Sequence, residues 1–378
     1  MDGKLYFDHA ATTPLDAEVL QKMTPYFISD FGNADSPHSY GRKAMNAVDE
    51  ARDAVAALLN AKPQEIYFTS GGTESDNWAV LGGAFAARAQ GKNRILVSAI
   101  EHHAVLSAAE RLEKQGFEVI YLPVNKGGMV ELNTVQDALN EDTGLVCVMA
   151  ANNETGTLQP IEEIAKLANE KGVPFFSDAV QLAPYERIDV KKLGVDMLSL
   201  SSHKFYGPKG CGVLYIKGGV KVEKLVAGGE QERGMRGGTL NVPSIVGLAA
   251  AYKKNCEEMQ QANEKLRVLR GLFLRELSCL NVTINGDDKN SLPSVVNVRF
   301  EGVDNATLLY KLDLQGVCAA AGSACASASV KPSHVLTAMG LTEKQAKECL
   351  RFSFGKNNTE EEILRGARIC VDAVKEWI

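Results

Sequence analysis

The stretch EIYFTSGGTESDNWAVLGGAFAARA, residues 65–89, decides how the chain folds. Glu65–Thr69 is a short run of β-branched and aromatic residues and predicts a strand. Thr73–Ala89 is longer, repeats its apolar residues at helical spacing and predicts a helix. Between them, Gly71-Gly72 lets the backbone turn and come close to whatever it binds. A strand that turns directly into a helix is the repeating step of an α/β sheet.

Outward from this stretch the alternation continues. Arg94–Ala99 predicts a strand, His103–Lys114 a helix and Glu118–Leu122 a strand. Leu145–Ala150 is a further strand, Ile161–Lys171 a helix, and Val173–Ser177 and Met197–Ser201 are two more strands. The pattern predicts a mostly parallel sheet with helices on its faces. The last third differs: a long polar helix over Ile245–Leu277, short strands at Val282–Asn285 and Ser294–Phe300, a helix near Ala306–Leu312 and an amphipathic helix over Glu360–Glu376. We expect a large α/β domain over 14–252 and a smaller α+β domain formed by 1–13 and 253–378.

Composition supports this and narrows the function. The chain has 378 residues, 45% of them apolar, which exceeds one ordinary domain and leaves ample material for a core. A formal net charge of −6 argues against nucleic acid as the main partner. No apolar run approaches the length of a membrane span. Met1-Asp2-Gly3-Lys4 leads into a patterned segment without the features of a signal peptide, so a cytoplasmic protein is expected. The eight cysteines form no CxxC pair, which disfavours zinc and thioredoxin-like chemistry; no metal site is expected. Most of them read as small core hydrophobes.

Chemistry-bearing residues cluster just past the predicted strands. Ser201-Ser202-His203-Lys204 ends one strand, and Lys204 is placed as a Schiff-base nucleophile, although it also reads as a surface lysine before a turn. Asp178-Ala179-Val180-Gln181 ends another: Asp178 is either a helix N-cap or the carboxylate that pairs with a pyridinium nitrogen, and Gln181 has a hydrogen bond to offer a ring oxygen. Thr69–Ser75 is either a capped turn or an anion cradle at a helix start. His102 is either a structural histidine or a proton-transfer group, and Asn152-Asn153-Glu154 either a turn or part of a site. All fall at carboxyl ends of strands, where open α/β sheets bind ligands. Separately, Ala319–Ser329 is almost wholly small residues around Cys325 and has little bulk to pack, so a mobile, reactive thiol is expected there; a short alanine helix with a buried thiol is the other reading.

Taken in order along the chain, these segments resemble the cysteine desulfurase family, in its NifS/IscS-like branch. The resemblance begins at Tyr6–Thr13 and continues through Phe31-Gly32-Asn33, Ser36-Pro37-His38 and the segments above. It extends to Arg236-Gly237-Gly238-Thr239, Gly322-Ser323-Ala324-Cys325 and Arg351-Phe352-Ser353. It implies a fold-type I pyridoxal 5'-phosphate (PLP) enzyme with a seven-stranded, mostly parallel sheet, acting as a homodimer with shared sites. By resemblance Lys204 carries the cofactor, His102 stacks on its ring and moves protons, and Asp178 and Gln181 hold the ring nitrogen and oxygen. Gly72, Thr73, Ser201 and His203, in the Ser201–Lys204 segment that includes Ser202, bind the phosphate, joined by Thr239 of the other subunit. Asn153 lies beside cofactor and substrate, Arg351 grips the carboxylate of L-cysteine, and Cys325 becomes a persulfide.

The implied product is L-alanine, and the sulfur goes to an acceptor for iron–sulfur cluster assembly or tRNA thiolation. Ser202, Gly237 and Ala326 depart mildly from the usual pattern. The chain stops at Trp377-Ile378, where longer IscS-type enzymes carry a tail that docks an iron–sulfur scaffold, so a tRNA-thiolating enzyme is a second acceptor. A selenocysteine lyase is the alternative activity; a catalytically silent sulfur carrier is disfavoured because both Lys204 and Cys325 are present.

Overall fold

The strand–turn–helix around Gly71 is present in the computed structural model, which describes residues 3–322 and 332–377. The strands are β1 (Leu5–Tyr6), β2 (Ile66–Thr69), β3 (Arg94–Ser98), β4 (Glu118–Leu122), β5 (Thr143–Cys147), β6 (Phe175–Asp178), β7 (Met197–Ser201), β8 (Gly212–Ile216), β9 (Val282–Asn285), β10 (Val295–Phe300), β11 (Val317–Cys318) and β12 (Cys349–Ser353). Seven of them form one sheet in the order β2-β8-β7-β6-β5-β3-β4. β8 runs antiparallel to both neighbours, and the other pairings are parallel. Strands β5 to β8 are buried along their whole length, as a sheet covered on both faces requires.

The helix expected from Thr73 begins at Gly72 and widens into a π turn over Trp78–Gly82 before continuing as Gly83–Arg88. The wide turn lies where Trp78 Nε1 donates to Glu223 O at 3.0 Å and where a Cβ on Gly82 would come within 2.3 Å of that oxygen. The strand expected at 145–150 lies at Thr143–Cys147, and the one expected at 173–177 at Phe175–Asp178. The long helix starts at Val242, three residues earlier than the apolar pattern indicates. Asn241 accepts from Ser244 N there, with a proline in the first turn.

That helix, Val242–Leu277, joins two cores. Ile245, Leu248 and Tyr252 pack with the large sheet, together with the helix Ser39–Leu59. Leu266, Leu269, Phe273 and Leu277 belong to a second core built on the three-stranded sheet β12-β10-β9 and the helix Glu360–Lys375. β1 pairs in parallel with β11, which carries Leu5 and Phe7 into this second core. Among the described residues no helix is long and apolar enough to cross a membrane.

Candidate active site

The carboxyl ends of the parallel strands open on one side of the sheet and meet the N-terminal arm and β12 around a cavity of about 420 Å³. β2 delivers Ser70–Thr73, the segment after β3 delivers His102, and the segment after β5 delivers Met149 and Asn153. β6 ends in Asp178, with Gln181 just beyond; β7 ends in Ser201, followed by His203 and Lys204. Arg351 comes from β12, and Ala10–Thr12 from the arm. Ten of the residues singled out from the sequence therefore line the same space: Gly72, Thr73, His102, Asn153, Asp178, Gln181, Ser201, His203, Lys204 and Arg351.

The cradle after β2 is backbone, with glycines where a side chain would be crowded or strained. A Cβ on Gly72 would lie 3.0 Å from Val180 Cγ2 and 3.5 Å from Ser201 Cβ. Gly71, with φ +147°, takes a conformation that residues with a Cβ rarely adopt. The turn is held by side chains around it. The Glu74 carboxylate accepts from Ser70 N at 2.8 Å and from the Arg236 guanidinium at 2.9 and 3.1 Å, and the hydroxyls of Thr69 and Ser75 are 2.8 Å apart.

Asp178 is buried, with Oδ1 accepting from Val180 N at 2.8 Å. Burial pushes its carboxyl above the usual range, against the pull of that N–H and of Lys204. A second buried acid, Asp76, accepts from Ser199 Oγ at 2.5 Å and is pushed well above its usual range by burial and by Asp178. Behind His102, Glu101 accepts from Met149 N at 2.6 Å; burial pushes it up to about 8, so it is a neutral tie between the ends of β3 and β5 at pH 7.

His102 Nδ1 accepts from Ala104 N at 3.1 Å and caps the helix His103–Glu113. Burial, with Lys204, His103 and His334 nearby, lowers its pKa to about 4. The ring is therefore neutral at pH 7 and carries its proton on Nε2. Lys204 Nζ donates to Ala10 O at 2.5 Å and Ala11 O at 3.0 Å, and Gln181 Nε2 donates to Ala10 O at 3.0 Å. His203 Nδ1 lies 3.0 Å from Thr12 Oγ1, and burial lowers its pKa to about 4. Arg351 donates from Nη2 to Asp8 Oδ1 at 2.7 Å and from Nη1 to Asn153 O at 2.9 Å. Its Nε is buried without a partner among the described residues.

Three expected residues stand apart from the cavity lining. Ser202 is fully buried, its hydroxyl without a partner among the described residues. Thr239 is exposed. Cys325 lies outside the described residues.

The class-V aminotransferase family matches residues 5–365. "Cysteine desulfurase IscS" of Clostridium botulinum is 48% identical over 367 residues, covering 96% of this chain and 92% of that protein. "Putative cysteine desulfurase IscS 1" of Bacillus subtilis is 48% identical over 375 residues, covering 98% and 99%. The chain belongs to the class-V aminotransferases, among the cysteine desulfurases. Its fold matches a solved structure described as a NifS-like protein with a TM-score of 0.93, at 37% identity, covering 99% of this chain and 100% of that one. A structure described as SspA in complex with cysteine gives 0.83 at 38% identity, covering 94% and 99%.

Cysteine desulfurases of this family are PLP enzymes, and so is this chain. The residues fit that cofactor: a glycine cradle whose backbone is left bare, a buried carboxylate at the end of β6 whose charge calls for a cationic partner, and a lysine among carbonyl acceptors. Arg351 lines the cavity, and its planar guanidinium suits an amino-acid carboxylate. Sequence reading gave no role to Asp8, Asp76 or Ser199. Asp8 stands inside the Tyr6–Thr13 run, next to the arm carbonyls that Lys204 uses, and that run was its only signal.

Proposed function

We propose that this chain takes sulfur from L-cysteine, leaving L-alanine, and carries it as a persulfide on Cys325 to an acceptor protein. The convergence of Lys204, Asp178 and Arg351 on one cavity carries this reading. PLP bound here supplies an electron sink for charge that develops at the substrate α-carbon. Gly72, Thr73, Ser201 and His203 hold its phosphate, with the Ser202 backbone between them; Asp178 holds the ring nitrogen, Gln181 the ring oxygen, and His102 covers the ring. Lys204 carries the cofactor through Nζ and then moves the α-proton. Arg351 and Asn153 orient the amino acid by its carboxylate. The Cys325 thiolate forms an S–S bond with the substrate sulfur as the C–S bond breaks. The electron pair stays with the β-carbon, which takes up a proton there, and a proton is returned to the α-carbon, with His102 and Lys204 as the proton donors, to give alanine.

The working unit is a homodimer in which Thr239 serves the partner's phosphate site. Thr239 is exposed and lies outside its own cavity, and Phe27, Ile28 and Phe31 are exposed apolar residues on the same chain. We assign 14–252 to the cofactor domain and 1–13 with 253–378 to the small domain; the two cores support a division within the long helix, with Ala10, Cys256, Met259, Leu292 and Val295 packing in the first core. The sulfur acceptor is an iron–sulfur scaffold or a tRNA-thiolating enzyme, and a free-thiol mechanism suits a reducing cytoplasm.

The test is direct. Purified protein should be yellow and should form alanine from cysteine, with sulfide in equal amount when reductant is present. A protein that binds the cofactor and forms no alanine would overturn the reading. Preference for selenocysteine over cysteine in parallel turnover would favour the lyase.

A further inference from the structure

We propose that Glu232, buried against Arg52, is a positioning residue that sets Thr239 for the cofactor phosphate of a second copy of this chain. This rests on the reading of Thr239 as a partner-site residue.

β2 is the edge strand of the large sheet beside the cradle, and an edge strand leaves backbone groups that need partners. Here side chains supply them. Glu232 Oε2 accepts from Phe68 N at 3.1 Å, and Ile66 O accepts from Arg52 Nη1 at 2.7 Å and Arg233 Nη2 at 2.8 Å. Glu232 and Arg52 also meet in a two-pronged ion pair at 2.7 and 2.8 Å, with the Glu232 side chain wholly buried. These contacts fix an unusual backbone. Glu232 and Arg233 have φ of 46° and 60°, and Gly234 follows at 76°, three left-handed residues in succession. Two of them carry a Cβ and hold that conformation only because their surroundings over-determine it.

The chain leaving this turn is equally constrained. Arg236 pairs with Glu74 at the cradle, Gly238 N donates to Gln231 Oε1 at 3.0 Å, and a Cβ on Gly237 would meet Gly228 Cα at 2.5 Å. The segment ends at exposed Thr239. The turn at Glu232 therefore sets the direction in which Thr239 is presented. Losing the Glu232 carboxylate lets the turn relax to ordinary dihedral angles and moves Thr239.

Mixed dimers, assembled from differently tagged chains, separate this from a general loosening. In the first, one chain carries Lys204→Ala and Glu232→Gln together and the other is unchanged. In the second, the two substitutions sit on different chains. Each dimer retains one Lys204, so the PLP concentration needed for borohydride-fixed label at that lysine reports one site without turnover. In the first dimer that site takes Thr239 from the altered chain; in the second it takes Thr239 from an intact segment. The first should need about tenfold more PLP, the loss of one hydrogen bond to a charged group. The second should match a dimer carrying Lys204→Ala on one chain alone. Weakening in the second dimer but not the first, or equally in both, overturns the proposal. Arg52→Lys, which keeps charge and loses the fork, should reproduce the split if Glu232→Gln does not fold. Thr239→Ala in the same two arrangements tests the underlying reading. If it shows no split, the shared-site reading fails; if it splits and Glu232→Gln does not, only the positioning role fails.

Discussion

Arg351→Lys isolates what the guanidinium fork contributes. Arg351 is 1% exposed, lines the cavity and reaches two partners at once, Asp8 at 2.7 Å and Asn153 O at 2.9 Å. Lysine keeps the charge but concentrates it on one nitrogen and cannot hold a carboxylate at two points. The substitution should remove about one charge-assisted hydrogen bond to the substrate carboxylate, about 1.5–3 kcal/mol, which is about 10–150-fold in kcat/KM. The remaining charge still faces Asp8, so the fold and the bound cofactor should survive. Alanine formation is measured against cysteine concentration, while cofactor absorbance and denaturant unfolding are followed on the same preparation. Arg351→Ala should cost more, because Asp8 loses its ion-pair partner, and should also lower the unfolding midpoint. Unchanged kcat/KM in Arg351→Lys, or a loss traced wholly to missing cofactor, would refute the carboxylate-gripping role.

Three further outcomes are expected. Lys204→Ala should lose turnover, and borohydride reduction of the unaltered enzyme should place the pyridoxyl group on Lys204; label on any other lysine contradicts the assignment. The pKa of His102 is held near 4 in the fold against 6.5 for the free side chain. Between those values the unfolded chain binds the extra proton, so stability should fall as pH drops from 6.5 towards 4. Melting of cofactor-free protein should show a shallower fall for His102→Asn, which keeps a capping side chain, and a constant offset between the two proteins across this window would contradict the burial argument. Cys325→Ala should bind PLP and change its absorbance on adding cysteine, yet release no alanine; normal release would remove Cys325 from the mechanism.

Much of this was legible because the chemistry follows directly after strand ends. β4 and β7 occur at the expected residues, and Asp178, Lys204 and the Gly71-Gly72 turn sit at or just beyond strand ends in sequence as in space. What escaped reading depends on long-range packing. β12, Cys349–Ser353, carries Arg351 at its centre, a charge that argues against a buried strand until Asp8 and Asn153 are brought to it. β8, Gly212–Ile216, is a run of five residues that nothing local marks as antiparallel. The helix Ser39–Leu59 is different: it buries Ala44, Val48, Ala51, Val55 and Leu59 at helical spacing, a stripe that was there to be read. Asp76 meets Ser199 only because the helix starting at Gly72 lies over β7.

The central claim is that sulfur leaves cysteine through one thiol of this chain, and one measurement tests it most directly. The reduced enzyme is given cysteine with isotopically labelled sulfur, alanine is counted, and the protein is digested and mapped by mass spectrometry. The account predicts about one alanine per cofactor site before reductant is added, with one labelled sulfur on Cys325 that reductant removes. Label on Cys318 or another cysteine, or alanine formed with no protein-bound sulfur, would contradict it.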